Sequence, residues 1–439
     1  MHEKFRFRNS DELLQKACQL SLNLPFSDDI SPLFYPVNIG ERIISNRFVV
    51  QPMEGYDSEP DGSPSDLTTR RYLRYAAGGS GIIWFEAIAV TPEGRSNPRQ
   101  LMINTKNCER YKKLVENIRL KSPLNAQPFI VAQLTHSGRY SRPEGQPMPL
   151  VPCNHPLLDK GNEKILSDDD LVRIQDYFIA SAKLAHEAGF DAVDIKACHG
   201  YLIHELLFSF RRENSIYGGP EPVKRFRFLL ETIDRVKEEV PDIMVTTRLN
   251  ISDIYPGGFS TTPDGKNYDL GEALMLIGEL EKRGLKILNT TMGSPYFNPH
   301  VVRPYDNPLP GASKPAEHPL QGVVRMIEGT SIVQHAFSGL MVVGSAYSWL
   351  RQFALNTGAA VIKSGGATFI GFGRNSFAYP EMPRDTMTKG YPESSKFCIT
   401  CSGCSRLMKN FRPAGCVIHD REIYGNELKK LIDDGKKNS

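Results

Sequence analysis

The sequence has no long apolar run. No stretch of its 439 residues approaches the roughly 20 apolar residues that a membrane helix needs, so no span is expected. The N-terminus, MHEKFRFRNS, is charged and has no apolar core behind it, so no secretory leader is expected either. Neither sign of charge is in excess: 53 basic side chains face 50 acidic ones, a formal +3. That balance gives no electrostatic case for nucleic acid or a membrane surface as partner. There is no short repeat and no low-complexity tract. Cysteine is sparse, and Cys18, Cys108, Cys153 and Cys198 are scattered. These absences point to a cytoplasmic chain with reduced thiols.

The other four cysteines are not scattered. Residues 398–416 read CITCSGCSRLMKNFRPAGC and hold Cys398, Cys401, Cys404 and Cys416 as C-x2-C-x2-C-x11-C. Four thiolates so spaced can complete a cubane iron–sulfur cluster or a tetrahedral zinc site, and free thiols remain an alternative.

Short, nearly continuous apolar runs recur along the chain at 47–53, 81–90, 128–134, 190–196, 243–249, 285–290, 340–346 and 367–372. Strands buried on both faces of a parallel sheet read this way. Helix-period stretches lie between them. In the clearest, residues 168–188, Ser167 is placed to cap and Asp168, Asp169 and Asp170 fill the first turn, where the helix dipole favours negative charge. Leu171, Ile174, Phe178, Ala182 and Ala185 form its apolar stripe and Gly189 ends it. Eight βα units in series predict an α/β fold, a (β/α)8 TIM barrel. An open doubly wound sheet is the alternative, but no GxGxxG follows the first strand.

A barrel places its chemistry just after each strand. At those places stand Pro52-Met53-Glu54, Glu86, Gln133 with His136, Lys196 with His199 and Tyr201, Arg248, Thr290-Thr291, Gly344-Ser345 and Gly373-Arg374. The last two pairs follow strands seven and eight, a common phosphate position. Gln133 and Arg248 supply hydrogen bonds and positive charge to the mouth. A ligand with a phosphate tail and an electron-rich head suits this set.

The runs NRFVVQPM, QLTHSGR, AGFDAVDIKACHGYLIHELL, YGG and GFGR, in this order, resemble the old yellow enzyme family of FMN-dependent oxidoreductases. The resemblance covers about residues 31–385. It implies FMN in the barrel mouth, with Pro52, Met53 and Glu54 beside the flavin, Gln133 and Arg248 on its pyrimidine edge, and Gly344, Ser345, Gly373 and Arg374 around its phosphate. It also implies hydride transfer from the flavin to a C=C bond conjugated to a carbonyl or carboxylate. Tyr201 would be the proton donor, and His199, with Lys196, would contact the substrate oxygen. Two residues depart from the family pattern. Lys196 stands where an imidazole is common, and Glu54 where Thr or Cys is common. Buried singly, either charge is costly. The pair implies a Lys196–Glu54 contact, a charged substrate, or one side chain turned to solvent.

The cysteine run is similar to that of the family's iron–sulfur branch, which includes 2,4-dienoyl-CoA reductase and trimethylamine dehydrogenase. A [4Fe-4S] cluster on Cys398, Cys401, Cys404 and Cys416 is therefore expected, with zinc as the alternative. The expected organisation is an N-terminal extension (1–30), the FMN barrel (31–385) and a cysteine-rich segment (386–439). The sequence ends at Ser439 with no fingerprint for a further nucleotide domain. The implied electron donor is therefore external: ferredoxin, a flavoprotein subunit, or NAD(P)H itself. A dehydrogenase or demethylase passing electrons outward is the second expectation, and a zinc-knuckle binding module the third. The Pro-rich insert at 294–320 follows strand six on the active-site side, where it either shapes the substrate pocket or is a plain surface loop.

Overall fold

The computed structural model describes residues 1–123 and 127–437. Eight parallel strands close into a barrel: Phe48–Val50, Ile82–Ala89, Phe129–Thr135, Ala192–Ile195, Met244–Ser252, Ile287–Met292, Met341–Gly344 and Phe369–Phe372. The eighth pairs with the first, Ile370 opposite Phe48 and Phe372 opposite Val50, which completes the ring. All eight apolar runs are strands, in the expected order. The second and third are buried at every residue, because one face packs inside the barrel and the other under helices. Closure rules out the open-sheet alternative.

A helix follows each strand on the outside: Asp66–Ala77, Cys108–Lys121, Asp168–Glu187, Pro222–Glu239, Gly271–Lys282, Pro319–Ala336, Ala354–Lys363 and Met382–Lys389. The helix at Asp168 starts in a capping box. Ser167 Oγ accepts from the Asp170 N–H, and the Asp170 carboxylate accepts from the Ser167 N–H. Its five stripe residues are all buried.

Val49, Ile82, Trp84, Phe129, Val131, Ala192, Ile287, Val343 and Phe369 form one apolar cluster inside the barrel. A hairpin, Val37–Ile39 with Arg42–Ile44, adds Ile39 and Ile44 to it. One end of the barrel is thus filled with hydrocarbon, and the polar residues gather at the strands' C-terminal ends.

Three additions surround this frame. Phe5, Leu13, Ala17 and Leu24 of the N-terminal stretch pack with Trp349, Leu350 and Leu355. Asp306, in the insert after strand six, ties the additions together. Its carboxylate accepts from the Phe5 N–H (3.1 Å), Trp349 Nε1 (2.8 Å) and Arg351 Nη2 (2.7 Å). Its own N–H donates to Thr400 Oγ1 at 3.2 Å. The cysteine-rich segment is strapped down in the same manner: the Ala414 N–H donates to the Gly55 carbonyl at 2.7 Å, and Asp420 holds Arg70 and Arg74 at 2.7 and 2.8 Å.

Candidate active site

A cavity of about 510 Å³ opens at the C-terminal ends of the strands. Its wall includes Pro52, Met53, Glu54, Gln133, Lys196, His199, Tyr201, Arg248, Ser345, Gly373 and Arg374. Of the residues the sequence placed at the flavin and substrate, only Gly344 is absent from the wall. It lies behind it, where a Cβ would come within 3.0 Å of Tyr347 Oη. Gly371 is needed more strictly: a Cβ there would meet the Gly344 carbonyl oxygen at 2.7 Å.

The floor is a buried polar layer. Asp194 Oδ2 accepts from Gln133 Nε2 (2.6 Å) and Trp84 Nε1 (2.7 Å), and Oδ1 from the Arg248 N–H (2.6 Å). Burial pushes this carboxyl up to about 6. The Gln133 amide is thereby fixed with its N–H turned to Asp194. Gln51, which the sequence reading passed over, exchanges hydrogen bonds with Asn289 (3.1 and 2.8 Å) and donates to Ser345 Oγ (3.0 Å). Arg248 is 7 % exposed and its Nε has no acceptor. Burial lowers its pKa, and no ion pair forms on the guanidinium among the described residues. A buried cation in this state calls for a ligand rich in acceptors. The pyrimidine edge of FMN has that chemistry.

A second unsatisfied pair lines the same cavity. Arg374 Nη2 donates to the Pro304 carbonyl at 2.7 Å, while its Nη1 and the Nη1 of Arg303 are buried with no acceptor. Burial, then the charge of Arg374, pushes Arg303 down to about 10. Two guanidiniums in one wall, neither in an ion pair among the described residues, suit a dianion such as the FMN phosphate. Arg303 comes from the 294–320 insert, which also puts Pro295, Tyr296, Phe297 and Leu309 into the wall. The insert therefore shapes the pocket.

On the substrate side a direct Lys196–Glu54 ion pair gives way to a contact through Tyr201. Lys196 and Glu54 form no ion pair among the described residues. They flank Tyr201. Its hydroxyl donates to Glu54 Oε1 at 3.0 Å, and Lys196 Nζ lies 3.8 Å from the centroid of its ring. Tyr296 Oη is 3.2 Å from Tyr201 Oη, and Ser96 Oγ donates to Glu54 Oε2 at 3.3 Å. Burial lowers the Lys196 pKa and, with Glu54 adding to it, raises the Tyr201 phenol well above its ordinary value. His199 is pushed well below its ordinary value by burial and by Arg248 and Lys196, so it stands as a neutral imidazole.

Four other residues marked at strand ends, Glu86, His136, Thr290 and Thr291, stay outside the cavity wall. Glu86 accepts from the Gly55 N–H at 2.6 Å and pairs with buried Arg71, which also holds Asp57. It braces the turn that carries Glu54 and Tyr56. His136 is buried, its Nδ1 accepting from the Gly138 N–H at 3.1 Å, and burial pushes it down to about 4.

The four clustered cysteines ring a separate small cavity with Thr400, His419 and Arg374. Arg374 lines both cavities. Among the described residues no group of three or more His, Cys, Asp or Glu is gathered as a metal-ion site. The thiols do converge on one space. The Thr400 N–H donates to Cys398 Sγ and the His419 N–H to Cys416 Sγ, both at 3.4 Å. N–H donors aimed at sulfur suit thiolate ligands. The segment has a second role that the sequence reading did not assign: Ser405, Met408 and Lys409 are part of the main cavity's wall.

A family model described as NADH:flavin oxidoreductase / NADH oxidase matches residues 32–293. The chain belongs to this family. It is the family of the old yellow enzyme, which the sequence motifs resemble. A metal reductase of Desulforamulus reducens is 28% identical over 396 residues, which cover 89% of this chain and 54% of that protein. An NADPH dehydrogenase of Bacillus subtilis is 30% identical over 266 residues, 60% of this chain and 73% of that one. Among solved structures, 2-naphthoyl-CoA reductase in complex with 2-naphthoyl-CoA superposes with a TM-score of 0.72 at 20% identity, covering 91% of this chain and 58% of that one. The old yellow enzyme homologue of Zymomonas mobilis gives 0.61 at 22%, covering 82% and 94%. The chain thus spans little more than half of the first of these relatives. No helix among the described residues is long and apolar enough to cross a membrane.

Proposed function

We propose that the chain reduces a C=C bond conjugated to a carbonyl or carboxylate, with Tyr201 delivering the proton. The observation that carries this reading is the shared cavity. Arg248, buried without an acceptor, and Tyr201, a buried phenol, face the same space. FMN, when bound, supplies the hydride. Gln133 and Arg248 would hold its pyrimidine edge, and Gly373, Arg374 and Arg303 its phosphate. Neutral His199 has a ring N–H to offer to the substrate's carbonyl oxygen, where negative charge develops, and Lys196 adds positive charge to that side. The insert's aromatic residues keep water from the reacting carbons. Tyr201 places its proton on the carbon next to the one that receives hydride.

Cys398, Cys401, Cys404 and Cys416 would hold a [4Fe-4S] cluster, or zinc in the alternative. The convergence of the thiols and the position of Arg374 between the two cavities support a cluster that exchanges electrons with a partner protein. NAD(P)H at the barrel mouth is the other donor. The test is an anaerobic assay of flavin-loaded protein against enones, enoates and amines, with iron and sulfide measured on the same sample. Reoxidation of reduced flavin by an enone or enoate supports the reading. Flavin reduction by an amine, with no reoxidation by any alkene, reverses the direction to that of a dehydrogenase.

A further inference from the structure

After strand four the backbone bends in a way that one of its residues does not favour. His199 sits at φ 67° and Gly200 at φ 75°, two left-handed residues in succession. Glycine adopts that region freely, but a histidine does so at a cost. With this bend, Lys196, His199 and Tyr201 share one cavity wall. The His199 ring does little to hold it. Among the described residues its side chain has one long polar contact, from Nε2 to Thr291 Oγ1 at 3.5 Å. The place of the imidazole is therefore set through the backbone.

Two N–H groups of the bend are held from behind. The His199 N–H donates to Asn250 Oδ1 at 3.3 Å, and the Gly200 N–H to His204 Nδ1 at 2.8 Å. Both holders lead to one carboxylate. Asn250 Nδ2 donates to Asp253 Oδ1 at 2.7 Å, which fixes the amide with its oxygen towards His199. His204 Nε2, which bears the ring proton because Nδ1 accepts, lies 3.2 Å from the same Asp253 oxygen. Asp253 Oδ2 accepts from the Phe259 N–H at 2.7 Å. The node reaches the insert as well. Asn250 Nδ2 also donates to the Gly293 carbonyl at 2.9 Å, and Asn298 Nδ2 to the Asp253 carbonyl at 2.8 Å. Asn250, Asp253 and His204 are fully buried, and none of them is in the cavity wall. The flavin floor hangs on a different acid, Asp194.

We infer that Asp253 is a positioning residue for the substrate side: through Asn250 and His204 it holds the bend that aims His199 at the substrate's carbonyl oxygen. This inference rests on the ene-reductase reading and names what fixes its carbonyl-binding residue. Asparagine at 253 would show why a carboxylate is needed. The carboxylate serves the Asn250 amide with one oxygen and the Phe259 N–H with the other. An amide has one acceptor oxygen, so one of these donors would face an NH2 group. If Asn250 turns its amide over in response, it presents Nδ2 to the His199 N–H, and the bend loses that contact. A displacement of about 1 Å at a group that touches substrate costs about 10²-fold in rate.

The experiment compares wild type, D253N, N250A and H199A as flavin-loaded proteins. Infrared spectra of cyclohexenone, isotope-labelled at its carbonyl and bound to the oxidised protein, report carbonyl polarisation without turnover. Wild type should lower the carbonyl band. H199A should lose that shift, and D253N and N250A should lose it with H199A. Reoxidation of reduced flavin by the enone should slow about 10²-fold in D253N, and the D253N/H199A double variant should be no slower than H199A alone. FMN affinity and reoxidation by ferricyanide, which needs no carbonyl contact, should match wild type. A wild-type band in D253N overturns the inference, and so does a double variant slowed by the product of the two single losses. A parallel loss of FMN affinity also overturns it, since Asp253 would then be a general brace. If D253N does not fold, N250A decides on the same band. If ferricyanide reoxidises wild type but no enone does, the ene-reductase reading fails, and the band alone decides the role of Asp253. Equal bands in wild type and H199A overturn that role.

Discussion

Replacing Arg303 by methionine should change stability and FMN affinity in opposite directions. In the ligand-free protein neither Arg303 nor Arg374 has an ion pair among the described residues, and burial and that neighbour push Arg303 down to about 10. At 1.36 kcal/mol per unit, such a displacement corresponds to about 3 kcal/mol against the folded state. The sign follows from proton binding. Below about pH 10 the guanidinium is charged in both states and the full penalty applies; above that the folded chain sheds the proton before the unfolded chain does, so stability rises with pH. Methionine removes the charge but also the stack of the guanidinium on Tyr305, whose centroid is 5.6 Å away. We expect a net gain of about 1–2 kcal/mol for the ligand-free variant near neutral pH. With FMN bound the sign reverses. One charge-assisted contact to phosphate is worth about 1.5–3 kcal/mol, so FMN should bind about 10–100-fold more weakly. Riboflavin, which lacks the phosphate, should bind wild type and variant alike. Melting curves of the ligand-free forms and fluorescence titrations with both flavins measure all three quantities. Equal weakening of FMN and riboflavin, or unchanged FMN affinity, would refute the assignment of Arg303 to the phosphate.

Asp306→Ala should cost about 2–4 kcal/mol in chemical denaturation, because it leaves the Phe5 N–H, Trp349 Nε1 and Arg351 without their shared acceptor. Lys196→Met should weaken a carboxylate ligand by roughly 2–5 kcal/mol and its amide analogue much less, read through the flavin spectrum; equal losses would mean that the ammonium does not face the ligand. Cys404→Ala should keep its FMN and lose iron, by metal analysis of anaerobic protein. About one zinc and no iron or sulfide in the unaltered protein would sink the cluster assignment.

The barrel was legible because each of its strands is a short apolar run with no competing period. Ile82–Ala89 and Phe129–Thr135 are apolar almost throughout because both of their faces are covered. Gln133, Lys196, Tyr201 and Arg248 could be placed once the strand ends were known. The insert was harder. Its tract, SPYFNPHVVRPYDNPLP, has no periodicity, so nothing local singles out Tyr296 for Tyr201 or Arg303 for Arg374. The Lys196–Glu54 relation stayed open in the sequence for a different reason. The two charges suggested a pair, but the ring of Tyr201 stands between them, and Tyr201 is 147 residues from Glu54. The cysteine segment, read only as a cluster holder, reaches the cavity through a backbone bond from Ala414 to Gly55 that no spacing rule foretells.

The junction at Asp306 sets an order of events during synthesis. Phe5 lies 301 residues before its acceptor, and Trp349 and Thr400 come later still. The first strand, at Phe48, likewise waits for Ile370 before its second edge is covered. As the chain leaves the ribosome, Phe5, Phe7 and Leu13 therefore emerge long before the surface that will receive them exists. Contacts this distant in sequence form late, and apolar segments left waiting are open to chaperones and to aggregation. Phe5, with its neighbours beside it, is made 301 residues ahead of Asp306 and is among the last to find its place.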